Sequence, residues 1–81
     1  MIVTKTIKLQ TQGFSDILNV TPQVLSILEG SSMSDGLICI FCPGSTGSVT
    51  TIEYESGVLH DLKKALERIA PSDIPYRHDE R

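Results

Sequence analysis

The chain has 81 residues, which allows at most one domain, because a chain of this size buries only roughly 60% of the surface that its unfolded form exposes. With 40% hydrophobic and 21% charged residues, its composition is that of a globular protein rather than a disordered one. The formal net charge is −3 and the basic residues are scattered, which argues against nucleic acid as a partner.

The apolar stretches are too short to cross a bilayer. The longest of them, Gly36 to Cys42, falls far below the roughly 20 residues that a spanning helix needs. The first residues, Met1 to Thr6, lack the basic start, the long apolar middle and the small-residue cleavage site of a secretory signal. We therefore expect a cytoplasmic protein with no membrane partner.

The first half of the chain predicts a strand, a helix and a second strand. Apolar and polar residues nearly alternate from Val3 to Gln10, as they do in a half-buried strand. Apolar residues then fall at helical spacing up to Gly30, and Thr21 and Pro22 are start signals for that helix. The apolar run from Leu37 to Cys42 is most simply a strand buried on both faces.

The second half predicts a third strand, from Val49 to Tyr54, and the clearest helix. From Ser56 to Ala70 apolar residues repeat on one helical face, with Ser56 as the expected N-cap and Pro71 as the stop. This order predicts one α+β domain over residues 1–81, with a small mixed or antiparallel sheet, two helices and a polar tail. So short a sheet leaves apolar surface uncovered, so we expect an oligomer.

Ser45, Thr46 and Gly47 lie in a loop of small residues between the second and third predicted strands. Successive backbone N–H groups in a glycine-rich loop can converge on an anion, and hydroxyl groups add donors. The loop has no Gly-Lys pair, so it is not a Walker loop. A tight connection between strands, without a ligand, is the plainer interpretation, and both interpretations stay open.

Two groups of ionisable residues are candidates for metal binding or proton transfer. Glu53 and Glu55 are two positions apart, which in a strand places both carboxylates on one face, where they could hold a cation such as Mg²⁺. His78 precedes Asp79 and Glu80, which puts a potential ligand or base beside two acids. A solvated strand edge and a solvated tail are the ordinary alternatives.

Cys39 and Cys42 have the spacing of a dithiol or of half a zinc site, but in a strand residues three apart point to opposite faces. We expect them to be two small core residues. His60 lies on the polar face of the second predicted helix, where we expect a surface residue.

Six segments in register resemble the YjbQ-type proteins, the secondary thiamine-phosphate synthase family. They cover essentially the whole chain: Phe14–Ile17, Asp35–Leu37, Pro43–Glu55, Ser56–Leu62, Leu66–Pro71 and Tyr76–Asp79. Two features depart from the family pattern. Gly44 stands where many members have a histidine, and members continue well past the His-Asp pair into a second half, so the resemblance is to the N-terminal part of the domain.

The resemblance implies an incomplete version of a compact α+β sandwich that assembles as a homotrimer. The family has been connected with forming thiamine phosphate, in which a pyrimidine pyrophosphate is joined to a thiazole phosphate with loss of pyrophosphate. The implied partners are therefore a small phosphorylated metabolite and further copies of the chain, and the implied cofactor is a divalent metal, Mg²⁺ or Zn²⁺.

The resemblance also implies roles for individual residues. The implied phosphate-binding residues are Ser45, Thr46 and Gly47. The implied catalytic residues are His78, Asp79 and Glu53. The implied metal ligands are His78 and Glu55.

Two functions remain open on these grounds. The first is a transferase of small phosphorylated metabolites, which depends on Ser45, Glu53 and His78 converging in space. The second is a catalytically silent oligomerising fragment, in which the same residues are structural and no active site exists.

Overall fold

The computed structural model describes residues 1–80 and divides the chain into two compact units, Met1–Thr51 and Ile52–Arg81. The first unit contains helix α1 (Thr21–Ser31) and the second contains helix α2 (Ser56–Ile69), followed by a 3₁₀-helix (Arg77–Glu80). Neither described helix is long and apolar enough to cross a membrane.

The sheet expected from the sequence is absent, because no segment of residues 1–80 forms a β-strand. Local backbone hydrogen bonds at helix ends and in turns join residues no more than four positions apart. Alternating apolar residues indicate which face a strand would bury, but a strand exists only where a neighbouring segment supplies its hydrogen bonds. The α+β prediction is therefore wrong: the described residues form helices joined by irregular segments.

Helix α1 begins and ends where its sequence signals lie. Pro22 occupies the first turn, where its missing N–H is not needed, and the side-chain oxygen of Asn19 accepts a hydrogen bond from the Thr21 N–H at 3.1 Å. At the other end, the Ser31 hydroxyl donates to a carbonyl one turn back at 2.7 Å. Ser32 then leaves the helix in the left-handed region, with φ of 60°. The predicted helix is confirmed, but Thr21 is its first residue and Val20 is its N-cap, so Thr21 does not cap it.

Helix α2 presents the aliphatic face that the sequence predicts. Its first four apolar residues on that face are half-buried and its last two are exposed: Val58, Leu59, Leu62, Ala65, Leu66 and Ile69. The helix ends two residues before Pro71, as expected. Its N-terminal cap differs from the prediction, because the capping side chain belongs to Glu55 and not to Ser56.

No side chain among residues 1–80 is buried. Several large apolar side chains are almost fully accessible, among them Phe41, which is 79% exposed, and Ile69, which is 80% exposed. Burial of apolar surface is the main favourable contribution to folding. Each unit therefore leaves uncovered much of the apolar surface that could stabilise it, in agreement with the uncovered surface expected from the sequence.

A turn of unusual backbone geometry precedes α1. Gly13, Phe14 and Ser15 all have positive φ, at 74°, 53° and 64°. The carboxylate of Asp16 closes the turn by accepting a hydrogen bond from the Gln12 N–H at 2.9 Å. Phe14 is 99% exposed, so the turn presents an aromatic ring to solvent.

Candidate functional site

The loop formed by Ser45, Thr46 and Gly47 is exposed and is shaped by glycines. Gly44 has φ of +97°, in the left-handed region that glycine tolerates best, so the chain changes direction there. A Cβ atom at residue 47 would lie 3.0 Å from the Cys42 Sγ atom, so a side chain at this position would force a shift. The loop therefore leaves its hydroxyl groups accessible, which is compatible with anion binding.

Glu55 caps helix α2 with both of its carboxylate oxygens. One oxygen accepts a hydrogen bond from the Gly57 N–H at 2.9 Å, and the other accepts one from the Val58 N–H at 3.0 Å. The Ser56 hydroxyl donates a longer bond of 3.4 Å. These bonds, chiefly the two from the backbone, lower the pKa of Glu55 from its ordinary value of 4.5. Oε1 accepts two of these bonds and Oε2 accepts one, so Oε2 keeps acceptor capacity and capping does not prevent contact with a cation.

Glu53 differs from Glu55 in that its carboxylate accepts no hydrogen bond from the residues that the structure describes. Its backbone carbonyl accepts a hydrogen bond from the Glu55 N–H at 3.0 Å. Because the segment is not a strand, strand alternation does not align the two carboxylates. The pair consists of one carboxylate committed to the helix and one that is open to a ligand.

His78 and Asp79 lie on the 3₁₀-helix that follows α2. Asp79 fixes this turn, because its carboxylate accepts from the Tyr76 N–H at 3.2 Å and its own N–H donates to the Tyr76 carbonyl at 3.0 Å. The His78 ring is exposed and forms no hydrogen bond within residues 1–80. The tail is therefore an ordered turn that presents an imidazole.

Two further hydrogen-bonded links hold the segment that follows α2, and one of them begins on the helix. Glu67, in the last turns of α2, accepts from the Ser72 N–H at 2.7 Å and from the Ser72 hydroxyl at 3.2 Å. The Tyr76 hydroxyl donates to the Pro71 carbonyl at 2.5 Å. We call these links, together with the Tyr76–Asp79 pair, the C-terminal clasp. Sequence reasoning missed Glu67, Ser72 and Tyr76. Glu67 and Ser72, two polar residues five positions apart across the helix stop, were a signal for the first link, but no residue pattern signals the second.

The donor atoms favour some cations over others. Among residues 1–80, no three His, Cys, Asp or Glu side chains gather in a group able to hold a metal ion. A zinc site needs three or four protein ligands, whereas Mg²⁺ is commonly held by one or two carboxylates together with phosphate oxygens and water. Glu53 and Glu55 could therefore contribute to holding Mg²⁺ only together with a phosphate and water, and Zn²⁺ on His78 and Glu55 would need additional ligands.

The candidate residues fall in both units. Ser45, Thr46 and Gly47 belong to the first, and both glutamates, His78 and Asp79 belong to the second. Their convergence on one ligand stays a prediction.

The two cysteines and the first histidine were expected to be structural. Cys39 and Cys42 carry free, exposed thiols, so the prediction of two core residues is wrong. The cause is the missing sheet, which leaves the apolar run from Leu37 to Cys42 uncovered. His60 is exposed on α2, as predicted.

Comparison with models of protein families shows which family the chain belongs to. The family described as UPF0047 protein YjbQ-like matches residues 5–81. The chain belongs to the YjbQ-like family. No solved structure matches the chain significantly.

Three members of the YjbQ-like family show how much of a full-length relative this chain represents. A UPF0047 protein of Methanothermobacter thermautotrophicus is 30% identical over 78 residues, which are 96% of this chain and 54% of that protein. One from Archaeoglobus fulgidus is 31% identical over 71 residues, covering 88% of this chain and 54% of the relative. The UPF0047 protein YugU of Bacillus subtilis is 25% identical over 75 residues, with coverages of 93% and 54%. The chain thus spans about half the length of the curated relatives that it matches.

Proposed function

We propose that this YjbQ-like chain binds small phosphorylated metabolites and contributes to a group transfer in which pyrophosphate leaves, such as the formation of thiamine phosphate. The observation that carries the proposal is the exposed loop of Ser45, Thr46 and Gly47, which follows the left-handed backbone of Gly44 and has no room for a side chain at residue 47 unless Cys42 shifts. The match of the family over residues 5–81 supports it, because the loop lies inside that match.

The loop supplies donors to phosphate oxygens. Ser45 and Thr46 offer hydroxyl groups, and both are exposed. A hydrogen bond to a charged group contributes about 1.5–3 kcal/mol. No lysine or arginine lies between residues 9 and 62, so compensation of phosphate charge falls to another group.

A divalent cation that accompanies the phosphate would supply that compensation. Mg²⁺ neutralises charge on a pyrophosphate leaving group when it is bound. The Glu53 carboxylate would be the open ligand for such an ion, and Glu55 could add an oxygen while it remains the cap of α2. His78 takes up or delivers a proton, or adds a nitrogen ligand if the ion is Zn²⁺, and Asp79 holds the turn that carries it.

Calorimetric titration of the chain with inorganic pyrophosphate, with and without Mg²⁺, tests the proposal. We expect Thr46→Val, which removes one hydroxyl at nearly constant volume, to weaken binding about tenfold. Glu53→Gln should abolish the gain in affinity that Mg²⁺ gives. Thr50→Val is the matched control, because it makes the same change outside the loop, and its affinity should equal that of the unaltered chain.

Two results would contradict the proposal. One is that the unaltered chain binds no pyrophosphate in the presence of Mg²⁺, and the other is that Thr46→Val and Thr50→Val behave alike. Separately, loss of bound Zn²⁺ in His78→Ala would identify His78 as a ligand.

The absence of buried side chains among residues 1–80 favours a second function, that of a catalytically silent oligomerising protein, with a homotrimer as the expected assembly. Sedimentation equilibrium distinguishes the states. A mass near 8.9 kDa would contradict oligomerisation, and a stable trimer that binds neither pyrophosphate nor metal would favour the silent function over the enzymatic one.

A further inference from the structure

We propose that Tyr76 is a positioning residue for His78, acting through the hydrogen bond from its hydroxyl to the Pro71 carbonyl. The inference rests on the proposed function, because it assumes that the His78 imidazole meets a phosphate group. In this inference Tyr76 touches no substrate and acts only through the turn that carries His78.

Tyr76 takes part in two links that point in opposite directions along the chain. Its hydroxyl reaches back to Pro71, just beyond the end of α2, and closes a loop of six residues. Its backbone N–H and carbonyl pair with the carboxylate and N–H of Asp79, the residue after His78. Displacing the ring of Tyr76 therefore displaces the turn on which the imidazole is mounted.

The start of this chain of contacts is anchored to α2. Glu67 lies within the helix and holds the Ser72 N–H at 2.7 Å, which fixes the chain next to Pro71. The successive links from Glu67 to Ser72, from Pro71 to Tyr76 and from Tyr76 to Asp79 tie the 3₁₀-helix to the helix before it. The hydroxyl of Tyr76 is the middle link.

The 3₁₀-helix cannot hold its position unaided. It has four residues, and so short a helix has poor hydrogen-bond geometry and little stability of its own. Since His78 makes no hydrogen bond within the described residues, its place depends on the clasp. A typical net hydrogen bond corresponds to about a two- to tenfold change in population, so its loss should release the turn from α2 to that extent.

Proton NMR of the chain with Mg²⁺ and inorganic pyrophosphate tests the inference. The ring resonances of His78 report the imidazole, those of His60 on α2 are an internal reference, and the amide resonances of the Ser45–Gly47 loop report binding there. In Tyr76→Phe we expect the pyrophosphate-induced shift of the His78 ring to fall about two- to tenfold at a fixed ligand concentration. The loop amide shifts and the circular dichroism of the helices should be unchanged.

Ser72→Ala is the matched control, because it alters the same clasp yet keeps the Ser72 N–H bond to Glu67. Its His78 shift should equal that of the unaltered chain. An equal shift in Tyr76→Phe and in the unaltered chain overturns the positioning role and leaves the proposed function standing. Absence of any shift at His78 in the unaltered chain, while the loop amides respond, overturns the role of His78 and this inference with it.

Discussion

The two α-helices differ in how their ends are held. The N-cap residue of α1, Val20, contributes no side-chain hydrogen bond. The first turn of α1 has no acidic residue and its last turn has no basic residue, so no charge stabilises the helix dipole at either end. In α2 the Glu55 carboxylate binds two N–H groups, Arg68 lies in the last turn, and Glu67 holds the chain beyond the end. The ends of α2 are therefore stabilised within its own unit, whereas the ends of α1 have fewer such interactions.

Breaking the interior of α2 should have the largest effect. Ala65→Pro removes a helical hydrogen bond and introduces a clash, and should cost about 3 kcal/mol of stability. Ser56→Pro is the matched variant, because it places proline in the first turn, as Pro22 is placed in α1, and Glu55 has the extended backbone that a residue before proline needs. Circular dichroism with urea titration should show helix loss in Ala65→Pro alone; equal loss in both would mean that the start of α2 is not as described.

Removing the caps compares the two helices directly. Glu55→Ala leaves two N–H groups of α2 without a partner, whereas Asn19→Ala leaves only the Thr21 N–H of α1 without one. We therefore expect two accelerations of amide exchange of different size. Exchange in the first turn of α2 should accelerate more in Glu55→Ala than exchange in the first turn of α1 does in Asn19→Ala. Equal acceleration in the two variants would remove the difference between the helices.

Acid should weaken the first turn of α2 and not the first turn of α1, which has no carboxylate cap of this kind. The folded pKa of Glu55 is lowered, so its contribution to stability is present above the ordinary value of 4.5 and is lost as the pH falls through the lower folded value. The amides of Gly57 and Val58 should therefore lose protection on acidification below about pH 4.5, while those in the first turn of α1 keep theirs. Glu55→Gln should remove this pH dependence; if it persists, another group is responsible.

Replacing one glycine in each helix should have the smallest effect. A Cβ atom at Gly30 in α1 would meet open space, so Gly30→Ala should stabilise that helix by about 0.5–1 kcal/mol. At Gly57 a Cβ atom would lie 3.1 Å from a Glu55 carboxylate oxygen, which can move but is committed to the cap. Gly57→Ala should therefore raise the thermal unfolding temperature less than Gly30→Ala does. An equal rise in the two variants would show that the Glu55 cap adapts without loss of stability.

Local sequence signals predicted the helices because their causes are local. The repeat from Val58 to Ile69 and the stop at Pro71 depend only on near neighbours, and both are present in the structure. The cap was misassigned because serine is the commoner capping residue, while the longer Glu55 side chain reaches two N–H groups from one position earlier. The strands were mispredicted because a sheet depends on partners that alternation alone does not specify.

The candidate site was only partly accessible to sequence reasoning for the same cause. The glycines and hydroxyls of the loop could be read directly, since Gly44 acts through its own backbone geometry. The different states of Glu53 and Glu55 could not, because they depend on where α2 begins. Tyr76 escaped notice because its link to Pro71 is a hydrogen bond from a hydroxyl to a backbone carbonyl, which no residue pattern displays.

The reversed-hand turn at Gly13, Phe14 and Ser15 limits which substitutions the first unit can accept. Backbone of this hand costs an L-residue about 1–2 kcal/mol, and two of the three residues here have a Cβ atom. Glycine at position 14 or 15 would relieve this torsional cost, asparagine would be tolerated, and valine or isoleucine would clash with its own backbone. Ahead of α1, the permitted amino acids are thus selected by chirality rather than by hydrophobicity.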